Sequence, residues 1–414
     1  FVISGFLIST IIFGSLERGT FSFADFYARR IKRIFPALIL VLSLSLIFGW
    51  FSLLPDELNQ LGKHVVAGAG FVSNFVLWSE SGYFDNSADT KPLLHLWSLG
   101  IEEQFYIVWP FLLWGAWKRQ LNFFVVIISL LIGSFILNIW LIHTNPVATF
   151  YSPLARFWEL LCGSLLALYL LRRSKSISQD SYYYPVLPGV SRAKSKIDIQ
   201  LVLPDVLSFC GIALLTAGFY VINKDLAFPG YWALLPVLGS VMIILAGPKA
   251  WFNQKILSGK LFVWFGLISF PLYLWHWPLL SFGRILYFEI PPLKYRVIAV
   301  LLSIGLAWLT VKFVERPLRF GNHRSSWKII SLSGSLLALA FMGAILFYFD
   351  FQRSNSFEQL IVKRKGEHAV GSSLAWYQGK NDWLFLGNSH NDTVAKLKLA
   401  TTPNEQKLNE VKES

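Results

Sequence analysis

Apolar stretches recur along this chain near residues 1–15, 36–54, 100–117, 122–142, 152–171, 202–222, 229–247, 261–280, 295–314 and 329–349. Most are long enough to cross about 30 Å of hydrocarbon. A segment in lipid must satisfy its own backbone polar groups, so the expected fold is all-α, a polytopic transmembrane helix bundle of about ten spans with a short extracytoplasmic tail. The composition agrees: 54% of the 414 residues are hydrophobic and 15% charged, too apolar for an ordinary soluble protein. The net charge of +13 does not point to nucleic acid, because the basic residues form short clusters between apolar runs, where positive charge sets orientation in a bilayer. Cys162 and Cys210, the only cysteines, sit inside apolar segments, so neither a disulfide framework nor a cysteine-rich metal site is expected.

The stretch 61–78 is weaker, interrupted by Lys63, His64 and glycines, and reads as re-entrant or interfacial. Leaving it out of the crossings puts the clusters at Arg29–Arg33, Lys118–Arg119, Arg172–Lys175, Arg192–Lys196 and Arg316–Lys328 on one side, the cytoplasm by the positive-inside rule. The expected location is then a membrane crossed many times, with the C-terminus outside. Expected boundaries are 1–325 for the main transmembrane domain, 326–350 for a further linking helix and 351–414 for the tail. Residues 174–198 read as a flexible loop, and Gly379–His390 as the first strand and turn of a soluble α/β domain. The apolar start at Phe1, with no Met and no charged flank, reads as a chain lacking its true beginning.

Ionisable groups at membrane depth are costly and usually functional. In the segment His95–Pro110, His95, Ser98, Glu102, Tyr106 and Trp109 recur every three or four residues and share one helical stripe. Glu102 and Ser98 are the leading candidates, with acid–base work the expected chemistry. Glu103 lies about 100° away around the helix and reads as more structural. A bland alternative pairs one of these carboxylates with a buried arginine such as Arg156. A second stripe joins Ser269, Tyr273 and His276, with Pro271 and Pro278 weakening the backbone ladder around them. His95, Tyr106 and Tyr273 are acceptor-side candidates, and His276 a catalytic one. Arg30 and Arg33, at i, i+3, are forks able to grip a phosphorylated donor or simply to anchor the helix. Arg156 and Glu159 are spaced for a local ion pair, while Gly163 and Ala167 suit close helix packing. Ser389 is a weak nucleophile candidate, since no Asp and His follow it to complete a triad.

With these motifs in place, the chain from Phe1 to about Arg319 resembles the membrane acyltransferase-3 family, whose members O-acetylate O-antigen, peptidoglycan and other bacterial surface glycans. The resemblance rests on an ordered series: Phe1-Val-Ile-Ser-Gly-Phe-Leu-Ile8, Phe26-Tyr-Ala-Arg-Arg-Ile-Lys-Arg-Ile-Phe-Pro-Ala37, His95-Leu-Trp-Ser-Leu-Gly-Ile-Glu-Glu-Gln-Phe-Tyr106, Arg156-Phe-Trp-Glu-Leu160, Ser269-Phe-Pro-Leu-Tyr-Leu-Trp-His-Trp-Pro278 and Val314-Glu-Arg-Pro-Leu-Arg319. It implies transfer of an acyl group, usually acetyl, from cytoplasmic acetyl-CoA as co-substrate to a surface glycan or lipid-linked saccharide, with no permanently bound cofactor and no metal. It maps the family's arginine pair onto Arg30 and Arg33, and its Ser-x3-Glu-Glu motif onto Ser98, Glu102 and Glu103. It also implies a key histidine, with an arginine before it, on a helix upstream of Phe1. Neither position is in this sequence, so the chain is expected to be incomplete or unable to carry out the full reaction. Members with an extra last helix carry an outward SGNH-type domain, which the tail resembles at its start, although the usual Gly-Asp-Ser-His stands here as Gly387-Asn-Ser-His390. Two rival readings are a transporter or flippase, for which no inverted repeat is apparent, and a membrane-tethered esterase using Ser389.

Overall fold

A computed structural model describes residues 1–82, 87–183, 197–223, 225–287, 290–320 and 325–348, with three strands between 374 and 398. The expected helix bundle is what forms. Its helices are α1 (Val2–Glu17), α2 (Phe23–Ser52), α3 (Pro55–Ala69), α4 (Ser73–Glu80), α5 (Leu96–Lys118), α6 (Phe123–Thr144), α7 (Pro146–Tyr151), α8 (Pro153–Tyr183), α9 (Ile197–Val221), α10 (Leu234–Ala246), α11 (Lys260–Tyr287), α12 (Leu293–Leu309), α13 (Arg316–Phe320) and α14 (Ser325–Tyr348). Among the described residues, 7 helical segments are long and apolar enough to cross a membrane, and α1 and the segment 230–246 are shorter apolar helices. The 23 residues of α5 extend about 35 Å at 1.5 Å each, so this helix also has the length to cross while carrying the polar stripe. The chain is a multi-pass membrane bundle.

Three local expectations change, and the interrupted stretch 61–78 resolves into two short helices. The basic cluster does not precede its span: α2 starts at Phe23, where the Ser22 hydroxyl caps the Asp25 amide at 3.3 Å. With no Gly or Pro before Pro36, the helix runs straight through Arg29, Arg30, Lys32 and Arg33. The stretch 61–78 divides into α3 and α4, of 15 and 8 residues, at most about 22 Å long each and too short to cross. They meet at an elbow around Phe71, whose φ of 56° is left-handed. The segment read as a loop from 174 is helical to Tyr183, consistent with the absence of Gly and Pro there. Residues 184–196 lie outside the described residues. In the tail, β1 (Leu374–Gln378), β2 (Trp383–Asn388) and β3 (Asn391–Lys398) form an antiparallel meander in that order. The alternating segment thus supplies the middle strand of a sheet rather than the first strand of an α/β unit. Ser389 and His390 lie outside the described residues.

Packing among the described residues forms a small apolar cluster of Val2, Trp158, Ala233 and Val237 and two large ones. One gathers Leu38, Val41 and Leu42 of α2, Leu61 and Val65 of α3, Leu274 of α11 and Leu336 of α14. The other gathers Ile8, Ile12 and Phe13 of α1 with Ile127 of α6 and Leu160 of α8. Helix α5 serves both, burying Leu96 and Leu99 in the first and Ile101, Phe105 and Trp109 in the second. Its polar stripe therefore lies at the seam. Close backbone approach sets two of the contacts: a Cβ on Gly5 of α1 would sit 1.9 Å from the Leu160 carbonyl oxygen, and one on Gly163 of α8 2.0 Å from that of Val2. This bears out the small-residue packing expected at Gly163. On the other side, a Cβ on Gly62 of α3 would meet the Gly343 oxygen of α14 at 2.7 Å.

Candidate functional site

Each residue of the α5 stripe finds a partner on a different helix. Glu102 accepts through Oε2 from the Ser4 hydroxyl of α1 at 2.8 Å and from the Tyr106 hydroxyl, one turn along, at 3.2 Å. Tyr106 in turn presents its ring to the Arg30 guanidinium of α2, 5.6 Å from ring centroid to Cζ, a distance at which cation–π attraction operates. Trp109 donates to Ser9 at 2.8 Å, and Ser9 donates to Ser164 of α8 at 2.7 Å. Tyr106 therefore stands at the arginines, apart from His95 and Tyr273, with which the sequence grouped it.

Glu103, on the neighbouring face, is buried, and Glu102, Arg30 and Arg33 are the charges that act on it. The structure thus brings both candidate arginines to the double-carboxylate motif. Arg33 and Arg319 act on Arg30 as like charges, and the buried Arg30 Nε has no hydrogen-bond partner. Arg319 itself bonds Glu315 Oε1 at 3.2 Å. A guanidinium with an uncommitted N–H and two like charges acting on it is a place where an anion is stabilised. Arg156 is not the partner of either carboxylate: it pairs with Glu159, Nε to Oε1 at 3.0 Å. Its guanidinium also faces the rings of Phe1, Trp97, Phe150 and Phe228 at 5.4 to 5.7 Å.

At the other end of the stripe, α11 meets α5. The Tyr273 hydroxyl donates to the His95 carbonyl, so the Ser98 hydroxyl, 2.6 Å away, must be the donor to Tyr273. The His95 and His276 rings lie edge to face with centroids 5.8 Å apart. His276 Nδ1 is 2.7 Å from the carbonyl of Tyr273 on its own helix. A ring nitrogen facing a carbonyl carries a proton, so in the neutral imidazole the lone pair is on Nε2, the tautomer a general base requires. Pro278 has a complementary part. It has no N–H to offer the Leu274 carbonyl four residues earlier, and this is the backbone acceptor that the buried His95 ring faces. Ser269, by contrast, bonds back to Gly266 of its own helix at 2.9 Å and joins neither end.

Two residues of the motif escaped sequence reasoning. Gln104 Nε2 donates to the Phe71 carbonyl and to Asn74 Oδ1, both at 2.8 Å, and so secures the left-handed elbow. Gly100, one turn earlier, makes room for it, since a Cβ there would lie 3.0 Å from Asn74 Oδ1 and 3.1 Å from the Phe71 oxygen. Their spacing of four was visible, but the partner was a backbone oxygen some thirty residues away. Among the described residues, no cluster of three or more His, Cys, Asp or Glu side chains is placed to hold a metal.

A family model described as an acyltransferase domain matches residues 1–312. The chain is 34% identical over 253 residues to a Haemophilus influenzae protein named only as uncharacterized, covering 59% of this chain and 95% of that one. It is 28% identical over 373 residues to the peptidoglycan O-acetyltransferase OatA of Listeria monocytogenes, covering 86% of this chain and 57% of the relative. It is likewise 28% identical over 333 residues to the O-acetyltransferase OatA of Staphylococcus aureus, covering 77% and 51% respectively. The chain thus spans little more than half the length of these two O-acetyltransferases. No solved structure matches it.

Proposed function

This chain belongs to the acyltransferase family that matches it over residues 1–312, and on that premise we propose that it is a membrane O-acyltransferase moving an acyl group, acetyl foremost, from cytoplasmic acyl-CoA to a hydroxyl of a cell-surface glycan. The observation that carries this reading is the polar path along α5. It sets Arg30, Tyr106 and Glu102 at one end and Ser98, Tyr273, His95 and His276 at the other. In a bacterial inner membrane, the basic clusters favour the arginine end facing the cytoplasm and the tail outside. The Listeria relative, a peptidoglycan O-acetyltransferase, favours a peptidoglycan-type acceptor over O-antigen.

In this reading Arg30 and Arg33 hold the phosphates of CoA, and Glu103 keeps Arg30 oriented. The acceptor hydroxyl gives its proton to Nε2 of His276 as its oxygen bonds the acyl carbon. The carbon–sulfur bond breaks, and the CoA sulfur leaves and takes up a proton. Glu102, its carboxylate fixed by Ser4 and Tyr106, stabilises positive charge developing along the path. The test is transfer of label from acetyl-CoA in membranes carrying the full-length protein. Label entering the glycan fraction, and abolished in Arg30→Ala and His276→Ala, is expected; no label in protein or glycan from the wild type overturns the reading.

A further inference from the structure

At the His95 end, the loop leading into α5 is tied down by a charged cluster with no part in the path above. Glu80, the last residue of α4, receives Lys63 Nζ at 2.8 Å on Oε1, and His64 Nε2 at 2.8 Å and Lys91 Nζ at 3.0 Å on Oε2. Burial alone would raise the pKa of Glu80, but the hydrogen bonds from His64, Lys63 and Lys91 outweigh it and hold this carboxyl, outside the membrane-spanning helices, well below the usual carboxylate range. The Lys91 side chain is only 2% exposed. An ammonium withdrawn from water this far is held to its counter-ion, because separation would leave a buried charge uncompensated.

The same residue grips α11 with its backbone: the Lys91 carbonyl accepts from Trp277 Nε1 at 2.9 Å. Trp277 follows His276 directly, and Lys91 lies four residues before His95. His95 thus lies four residues along the chain from Lys91, and His276 next to the residue that Lys91 holds. We propose that Lys91 is a positioning residue for the histidine pair: its ammonium, fixed on Glu80, locks the carbonyl that holds Trp277, and so sets the ring of His276 against that of His95.

This rests on the histidine end being where the acceptor hydroxyl reacts, and the experiment separates the two. Acetyl transfer is measured in membranes of the full-length protein for Lys91→Met, Lys91→Arg, Trp277→Phe and His276→Ala, with the folded fraction of each measured by detergent extraction. Lys91→Met and Trp277→Phe are expected to lower kcat about tenfold, a misorientation effect, to leave KM for acetyl-CoA unchanged and to shift the pH profile of kcat, while Lys91→Arg restores most of the rate. A loss in Lys91→Met that only follows its folded fraction, with an unaltered pH profile, overturns the proposal while His276→Ala remains inactive. Undiminished transfer in His276→Ala overturns the reading of the site, and this proposal with it.

Discussion

The two ends of the α5 path are built on opposite principles. At the arginine end, Arg30 has an uncommitted Nε, two like charges acting on it and an aromatic ring for company. At the histidine end the groups are fastened to backbone: Tyr273 to the His95 carbonyl, His276 to the Tyr273 carbonyl and Trp277 to the Lys91 carbonyl. A site that receives a polyanion gains from charges left open, since the ligand brings the missing partner. A site that moves one proton gains from a ring that cannot turn.

This contrast can be broken by mutation. The largest expected effect is in His276→Ala, which should lower kcat by about a hundredfold or more while leaving CoA affinity, measured by equilibrium binding, as in the wild type. A parallel fall in affinity would mean the two ends are not separate. Arg30→Ala should do the reverse, weakening CoA binding by about ten- to a hundredfold, the loss of one charge-assisted contact, with a smaller change in kcat at saturation. Gln104→Leu should act on neither end directly but lower thermal stability by about 1–3 kcal/mol, because the Phe71 carbonyl and Asn74 lose their partner at the elbow. Glu80→Gln sharpens the histidine end through pH. A carboxyl whose folded pKa is depressed stabilises the fold fully above its unfolded value, about 4.3, and loses that contribution as pH falls toward the folded value. The gap in melting temperature between wild type and Glu80→Gln, with Lys63, His64 and Lys91 facing the site, should therefore be constant from pH 8 to about pH 5 and close below that.

Much of this was legible in the sequence because it is local. The spacing of Ser98, Glu102, Tyr106 and Trp109 placed them on one stripe, and they do lie on one helix. The Arg156–Glu159 pair and the packing at Gly163 were also open to reading, as each follows from three- and four-residue steps. What was hidden is long-range. Nothing in the run Arg29–Arg33 shows that Arg30 lies against the ring of Tyr106, or that Glu103 and not Arg156's partner faces the arginines. Such pairings depend on which helices adjoin, and α5 touches two separate packing clusters. The elbow at Phe71 was foreshadowed only as a weakness in an apolar run, since a backbone oxygen leaves no mark in sequence.

Helix α14 lies beyond the residues that match the family model, yet it shares a glycine-to-glycine crossing with α3, the helix that leads into the elbow. A graft of α14 from a relative would succeed only if its residue facing Gly62 were also small, or if α3 came with it. The unit of exchange in this architecture is therefore a pair of helices far apart in the chain. The tail travels with a part of the membrane bundle some 280 residues before it.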